Sequence, residues 1–389
     1  MKTVELFAGI GGFRLASDQM GWKTVWANDL SPNACAVYRD RFGSDVLHEG
    51  DFPDLKDSVP SHDVLTGGFP CQPFSSAGKK EGTRDVRGTL FQLIVDVLRK
   101  ERPRFFILEN VKRLLTMEKG CHFATILGSL ADLDYSIEWR LLNTMHFGLP
   151  QNRERVVIVG ARLSDRETWQ RVAQIRLALP ADLSVLDGRQ QQHLFEQRYW
   201  NPISDHRDRF PDWGLASKGR FFGRDLSCFS AASQPVLLGD VLEKTVSIEF
   251  DFTQATQKWL AQNTPVNRLI HGVEILSNQR GGARMGYTIF GTNGVAPTLT
   301  STTSRHYERY KVGDRYRRLT NVEYARIQGF PDDHCRACSI YDQYGLYGNA
   351  VPPAMVLWVM ERLQEKGITR DSLPRRAVQT TIFDLQHAY

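Results

Sequence analysis

No stretch of this chain stays apolar long enough to cross a bilayer. No basic-then-apolar opening resembles a secretory signal either, because Glu5 interrupts the first apolar segment. A cytoplasmic protein, with no membrane partner, is therefore expected. Cysteine is scarce. The six residues Cys35, Cys71, Cys121, Cys228, Cys335 and Cys338 are too dispersed in 389 residues for a disulfide framework. Cys335 and Cys338 form one Cys-x-x-Cys beside His334, with no second pair at zinc spacing. A structural role is expected for that pair, and no metal site. There is no internal repeat. The formal net charge of +5 suits a polyanionic partner without requiring one. The length suits two domains, or one large domain with an insertion.

Strand-like and helix-like segments alternate from the N-terminus to about residue 161. Strands are expected at Thr3 to Phe7, Thr24 to Asn28, Val64 to Gly67, Phe105 to Glu109, Ile137 to Leu142 and Val156 to Ala161. Helices are expected at Phe13 to Met20, Pro32 to Phe42, Thr89 to Lys100 and Phe123 to Leu133, the second with Ser31 as N-cap and Pro32 in its first position. Such alternation argues for an α/β fold, a doubly wound and mainly parallel sheet covered on both faces. Ligands in such sheets bind beyond the carboxyl ends of the strands. Near Leu163 the character changes. From there to about Arg280 the chain reads as irregular, with the polar tract Arg189-Gln190-Gln191-Gln192-His193 and with aromatics beside cations at Arg198-Tyr199-Trp200 and Arg220 to Arg224. A smaller second domain is expected there. Helical patterning returns after Tyr316, where Thr320 and Glu323 form a capping box, and ends with a helix at Pro353 to Glu365.

Three sites of chemistry stand out. Gly9, Gly11 and Gly12 lie between the first strand and first helix, where glycine lets the backbone approach a ligand. Asp29 ends the second strand about twenty residues on, the place of a ribose-binding acid. A nicotinamide fingerprint is incomplete, because Arg14 stands where GxGxxG has its last glycine. A nucleoside cofactor without a pyrophosphate fits better, and S-adenosylmethionine is the common one. Next, Gly67-Gly68-Phe69-Pro70-Cys71-Gln72-Pro73 follows a short buried strand, with Cys71 held between two prolines. A held nucleophile and a buried structural cysteine both fit. Finally, Glu109-Asn110-Val111 ends a strand of phenylalanine and aliphatic residues, where desolvation would raise a carboxyl pKa. Gln151, Arg153 and Arg155 share one face of a strand and need acceptors.

Together these residues, in this order and rough spacing, resemble the C5-cytosine DNA methyltransferases of bacterial modification type. Gly348-Asn349-Ala350-Val351, Arg87 to Phe91 and Arg326 to Pro331 extend the match. The resemblance covers about residues 3 to 163 and 281 to 363. It implies methyl transfer from S-adenosylmethionine to C5 of a flipped-out cytosine in a specific short duplex sequence, within a restriction-modification system.

The resemblance implies Cys71 as nucleophile, Glu109 as the proton donor at N3, Arg155 at the cytosine O2 and Arg153 as a brace. Around the cofactor it places Phe7, Gly9, Gly11, Gly12, Asp29, Asp51, Phe52, Pro70, Leu90 and Asn349. Asp29 stands where Glu is commoner in the family. DNA contacts are expected from Ser75, Lys79, Lys80, Arg84 and Arg87 in a closing loop, from Arg220 and Arg224 as base readers, and from Arg305, Arg309, Lys311 and Arg315 on phosphates. The implied division is a catalytic part at 1–163, a target-recognition domain at 164–312, a return segment at 313–368 and a tail at 369–389. A monomer is expected, with double-stranded DNA as partner and a restriction endonuclease acting separately. A tRNA cytosine-5 methyltransferase, a catalytically silent DNA-binding regulator and, more distantly, a nicotinamide-dependent oxidoreductase are the competing readings.

Overall fold

Apolar runs of four to seven residues separated by amphipathic stretches fold as β1 (Lys2–Leu6), α1 (Gly12–Gln19), β2 (Lys23–Asp29), α2 (Pro32–Phe42), β3 (Leu47–Glu49), α3 (Phe52–Leu55), β4 (Val64–Gly68), α4 (Leu90–Glu101), β5 (Phe105–Val111), α5 (Cys121–Ala131), β6 (Tyr135–Asn143) and β7 (Glu154–Arg162). The computed structural model describes residues 1–70, 90–162, 175–184, 186–226, 236–279, 288–301 and 308–365. The cap at α2 forms as the sequence implies: the Ser31 hydroxyl accepts from Ala34 N–H, and Pro32 occupies the first turn. β3 is too short to leave a periodic signal.

The strands β8 (Asn201–Pro202), β9 (Trp213–Ser217) and β10 (Arg220–Arg224) complete a ten-stranded sheet of order β3-β2-β1-β4-β5-β7-β6-β9-β10-β8. Neighbouring strands from β3 to β5 are parallel. Beyond β5 every pairing is antiparallel, beginning with β7 inserted between β5 and β6. Both faces are covered. On one face α4 and α5 bury Phe91, Ile94, Phe123 and Ile126. On the other, α1 and the helix Pro353–Gln364 bury Phe13, Ala16, Met355 and Val359. The architecture is the doubly wound α/β fold that the alternation implies.

A second sheet has the order β11 (Thr264–Ile270), β12 (Val273–Asn278), β13 (Thr288–Phe290), β14 (Arg309–Val312), β15 (Arg315–Arg317). It does not begin at residue 164. β9 pairs with β6, from Arg140 opposite Trp213 to Ile137 opposite Ala216, so the chain from 201 to 224 extends the large sheet. Buried Glu138 fixes this extension, accepting from Trp213 Nε1 and from the backbone N–H groups of Arg176, Leu177 and Ala178. The expected boundary at 312/313 falls inside the turn between β14 and β15, whose strands pair Lys311 with Tyr316. Phe290, Val295, Leu299 and Tyr310 of the second unit share one core with Tyr324 and Ile327 of the return helix Asn321–Gln328, with Phe330 just after it and with Tyr347 of the return helix Ile340–Asn349, and that core reaches Ile10 and Val37.

Two further readings need adjustment. The polar tract at 189–193 is helical, within Gly188–Phe195, because Asp187 and Gln190 form a capping box. The segment from 163 to 280 is also not wholly irregular, since it contains β8 to β12 and the helix Gln254–Leu260. The capping box of Thr320 and Glu323 forms as read, and Glu323 additionally takes both terminal nitrogens of buried Arg317 at 2.7 Å. Among the described residues no helix is long and apolar enough to cross a membrane.

Candidate active site

The parallel strands β1 to β5 end at one edge, and Phe7, Asp29, Asp51, Pro70 and Glu109 lie at or close to those ends. Beyond β1 the chain turns sharply. Phe7 has φ of 53°, a left-handed conformation uncommon for a bulky residue, and Gly9 and Gly11 follow with φ of 55° and 83°. The Phe7 ring meets Phe52 edge-on at 5.5 Å. Space is open where a Cβ on Gly9 would stand, whereas one on Gly12 would overlap the carbonyl oxygen of Val351. Gly12→Ala is therefore expected to destabilise the fold by about 1–3 kcal/mol in urea denaturation, the usual cost of overpacking.

Asp29 at the end of β2 accepts from Gly9 N–H at 2.7 Å and from Ser31 N–H at 2.8 Å, one to each carboxylate oxygen. It thus shapes the glycine turn, and each oxygen retains a lone pair for a hydroxyl. The β2–β3 pairing sets Asp29 beside Glu49, and Gly50 N–H donates to the Asp29 carbonyl, so exposed Asp51 and buried Phe52 stand next to it. Pro70 leaves the end of β4 exposed, and Asn349 is exposed at the end of the helix Ile340–Asn349. Leu90 opens α4, half-buried. An open glycine turn, a partly exposed aromatic, and carboxylates on two adjacent strand ends fit an adenosine-bearing cofactor.

The catalytic group is built on β5 and β7. Register sets Gly68 against Glu109 and Val111 against Arg155. Arg155 Nε lies 2.8 Å from Glu109 Oε1, with both side chains almost buried. Burial pushes the Glu109 carboxyl above its ordinary range, opposed by Arg155 and then Arg153. Burial lowers Arg155 in turn, with Glu109 opposing.

Arg153, 1% exposed, donates through Nη1 to Leu299 O and through Nη2 to Ala350 O, both at 3.0 Å. Gln151 takes the N–H of the same Leu299 and donates to Gln328. Gln151 and Arg153 thus tie the second unit and the return segment to the strand that carries Arg155. The Asn110 side chain donates through its amide nitrogen to Phe69 O at 2.9 Å and accepts from Val111 N–H through its amide oxygen. It pins the chain two residues before Cys71. Only the β4–β5 register reveals this, so no signal within one segment was available.

A family described as C-5 cytosine-specific DNA methylase matches residues 1–365. The chain belongs to that family. This methylase is an enzyme that uses S-adenosylmethionine to methylate cytosine in DNA at C5. It is 32% identical over 374 residues to Type II methyltransferase M1.ScrFI of Lactococcus lactis subsp. cremoris, covering 94% of this chain and 78% of that protein. It is 48% identical over 160 residues to Type II methyltransferase M.HaeII of Haemophilus aegyptius, 41% of this chain and 50% of the relative. The fold is similar to that of the S. pombe Dnmt2 methyltransferase, with a TM-score of 0.59 at 16% identity over 94% of this chain and 100% of that one.

The residues expected to contact DNA are placed less uniformly. Cys71, Ser75, Lys79, Lys80, Arg84, Arg87 and Arg305 lie outside the described residues. Arg220 and Arg224 lie on β10, four strand spacings and roughly 19 Å from β5. Arg224 pairs opposite Trp213, at the site end of the sheet, whereas Arg220 pairs opposite Ser217 at the other end and donates to Trp200 O. The structure does not bring Arg220 to the site. Arg309 opens β14 and stacks on Trp259 at 4.9 Å. Arg315 is engaged by Asp251 and by the carbonyls of Val246 and Ser247, which leaves it poorly placed for a phosphate.

Proposed function

We propose that this methylase modifies one cytosine within a short duplex sequence, as the modification partner of a restriction endonuclease, with Cys71, Glu109, Arg153 and Arg155 as its working residues. The observation that carries the reading is the buried Glu109–Arg155 pair, set across β5 and β7 beside the Phe69-Pro70 exit that leads to Cys71. The names of the two bacterial relatives support the modification role. The cytosolic or nucleoid location, the monomeric state and the separate endonuclease belong to the same proposal.

Cytosine C5 is a weak nucleophile, and its ring cannot be reached inside the stack, so the base must swing out at a cost of a few kcal/mol. The Cys71 thiolate adds to C6. Electron density moves onto the ring, and Glu109 supplies a proton at N3 while the Arg155 guanidinium holds O2. S-adenosylmethionine supplies an electrophilic methyl group, for which Phe7, Asp29, Asp51, Phe52, Pro70, Leu90 and Asn349 would hold the donor. After C5 is methylated, its proton leaves to a base, the C6–S bond breaks to return the thiolate, and N3 gives its proton back to Glu109. Arg153 does not touch the base; it braces the strand that carries Arg155.

Bisulfite sequencing of DNA from cells expressing the chain tests the reading. One cytosine position in one short sequence should be protected; scattered protection, or methylation of tRNA in place of duplex DNA, would refute it. Sequence choice is assigned to residues from about 165 to 280, the stretch that lies between the two blocks of family resemblance. Arg220→Ala should leave the methylated sequence unchanged, since that side chain lies at the far end of the sheet. Arg309→Ala should weaken binding at all sequences and lower the salt slope by about 1, as loss of one phosphate contact does. The same sequencing, with a salt titration of binding, checks both.

A further inference from the structure

We infer that His334, in the turn between the return helices, is a positioning residue for the cofactor: it locks the peptide group between Ile10 and Gly11 in the orientation the glycine turn requires. The inference rests on the reading of Phe7 to Gly12 as the cofactor cradle.

His334 Nε2 lies 2.7 Å from the carbonyl oxygen of Ile10. A carbonyl only accepts, so Nε2 carries the proton and the ring is the Nε2–H tautomer. The other face of the same peptide group is also held, because Gly11 N–H donates to Ala8 O at 2.9 Å. Gly11 is the left-handed N-cap of α1, with φ of 83° and ψ of 39°. Glycine tolerates other conformations at such a position, so nothing in its own covalent structure prevents a peptide flip. A flip would break both hydrogen bonds and turn the Ile10 carbonyl about its axis. The lock therefore comes from across the molecule, 324 residues away in sequence.

The ring itself is firmly held. It is 1% exposed, packs against Phe330 at 4.7 Å and meets Phe42 edge-on at 6.1 Å. Arg41 Nε donates to the His334 carbonyl, and Arg41 Nη2 reaches Asp333. Nδ1 is buried with no partner, so a second proton there would be an unsolvated charge. Burial accordingly lowers the His334 pKa, and the ring stays neutral. The neighbouring Cys335 and Cys338 support the same turn: Cys335 N–H donates to Tyr347, and Cys338 Sγ to Asn33 O at the start of α2. The Cys-x-x-Cys beside His334 is thus part of a strap laid across the back of the cofactor turn.

The test separates the donor from the ring. His334→Gln places an amide N–H near the position of Nε2. His334→Met has nearly the same shape and no donor, and His334→Phe keeps the aromatic packing and also lacks it. S-adenosylmethionine affinity of the full chain, by calorimetry, should fall about 3- to 10-fold in the Phe and Met variants, the range for one hydrogen bond, and should recover in the Gln variant. KM for the cofactor should rise with kcat and DNA affinity unchanged. Near-normal affinity in Phe and Met, or equal loss in Gln and Met, overturns the lock. If the Phe variant does not fold, the Gln and Met pair decides alone. Phe7→Ala and Asp29→Ala, measured alongside, isolate the premise: if neither weakens cofactor binding the cradle itself is misplaced, whereas if they do and His334 variants do not, only the lock fails.

Discussion

Cys71→Ser is expected to abolish turnover and to leave duplex binding largely intact. The hydroxyl is far less acidic than a thiol, so no anion is available at neutral pH to add to C6. A free thiol with a pKa of ~8.5 is only partly ionised there, and even that fraction is a far better nucleophile than serine. The chain enters Cys71 along a fixed path: β4 pairs with β5 as far as Gly68 and Glu109, and Asn110 then holds the Phe69 carbonyl. That path ends at Pro70, beside the strand ends that carry Glu109 and Arg155. DNA binding, by contrast, is expected to be spread over cations on several elements, Arg309 on β14 among them, none of which supplies the nucleophile. A duplex with 5-fluorocytosine at the target position should trap the wild-type protein covalently when S-adenosylmethionine is present, because fluorine cannot leave C5 as a proton does. The serine variant should give no such adduct on a denaturing gel. Substantial methylation by the Cys71→Ser protein would show that the ring is activated by some other group.

What could be read from sequence follows a physical pattern. β1, β2, β4, β5 and their helices were legible because local periodicity and caps such as Ser31 with Pro32 specify them without distant help. The strand ends that carry Asp29 and Glu109 were legible for a related reason: in a parallel sheet every strand exit faces one edge, so both fall at that edge once the alternation is seen. The antiparallel insertion of β7 between β5 and β6 was not legible. Pairing order is decided by contacts distant in sequence, and Val156 to Ala161 reads the same in either direction. The edge strands β8 to β10 were hidden for another reason. Their attachment depends on buried Glu138 gathering Trp213 and the backbone of residues 176–178. A lone glutamate within a strand gives no hint of partners 38 to 75 residues on. His334 was hidden in the same way, because its acceptor is a backbone carbonyl, which no sequence pattern marks.

Glu109→Gln is expected to lower the methylation rate by at least ~10²-fold, the low end of what a positioned proton transfer contributes. Glutamine keeps the size of the side chain and can still hydrogen-bond the ring, but it cannot deliver a proton to N3. The structure sharpens this expectation. Glu109 is 8% exposed, and burial raises its pKa, so a larger share of the acid form exists near neutrality than for a solvated carboxyl. Arg155 at 2.8 Å pulls the other way, which keeps the group from being permanently neutral and lets it release a proton as charge develops on the ring. The sign of the pH effect follows. The acid form is lost as pH rises through the raised pKa, so the single-turnover rate of the wild type should decline on the basic side. The residual rate of the Gln variant should lack that decline. A purely structural role predicts something else, because the variant leaves the Arg155 charge without its buried counterion and weakens the fold. Urea denaturation of both proteins measures that part separately, and cofactor affinity should barely change, since Glu109 is assigned no contact with S-adenosylmethionine. A Gln variant that turns over at a near-normal rate, or one whose rate keeps the wild-type decline with pH, would reassign Glu109 from proton donor to anchor for Arg155.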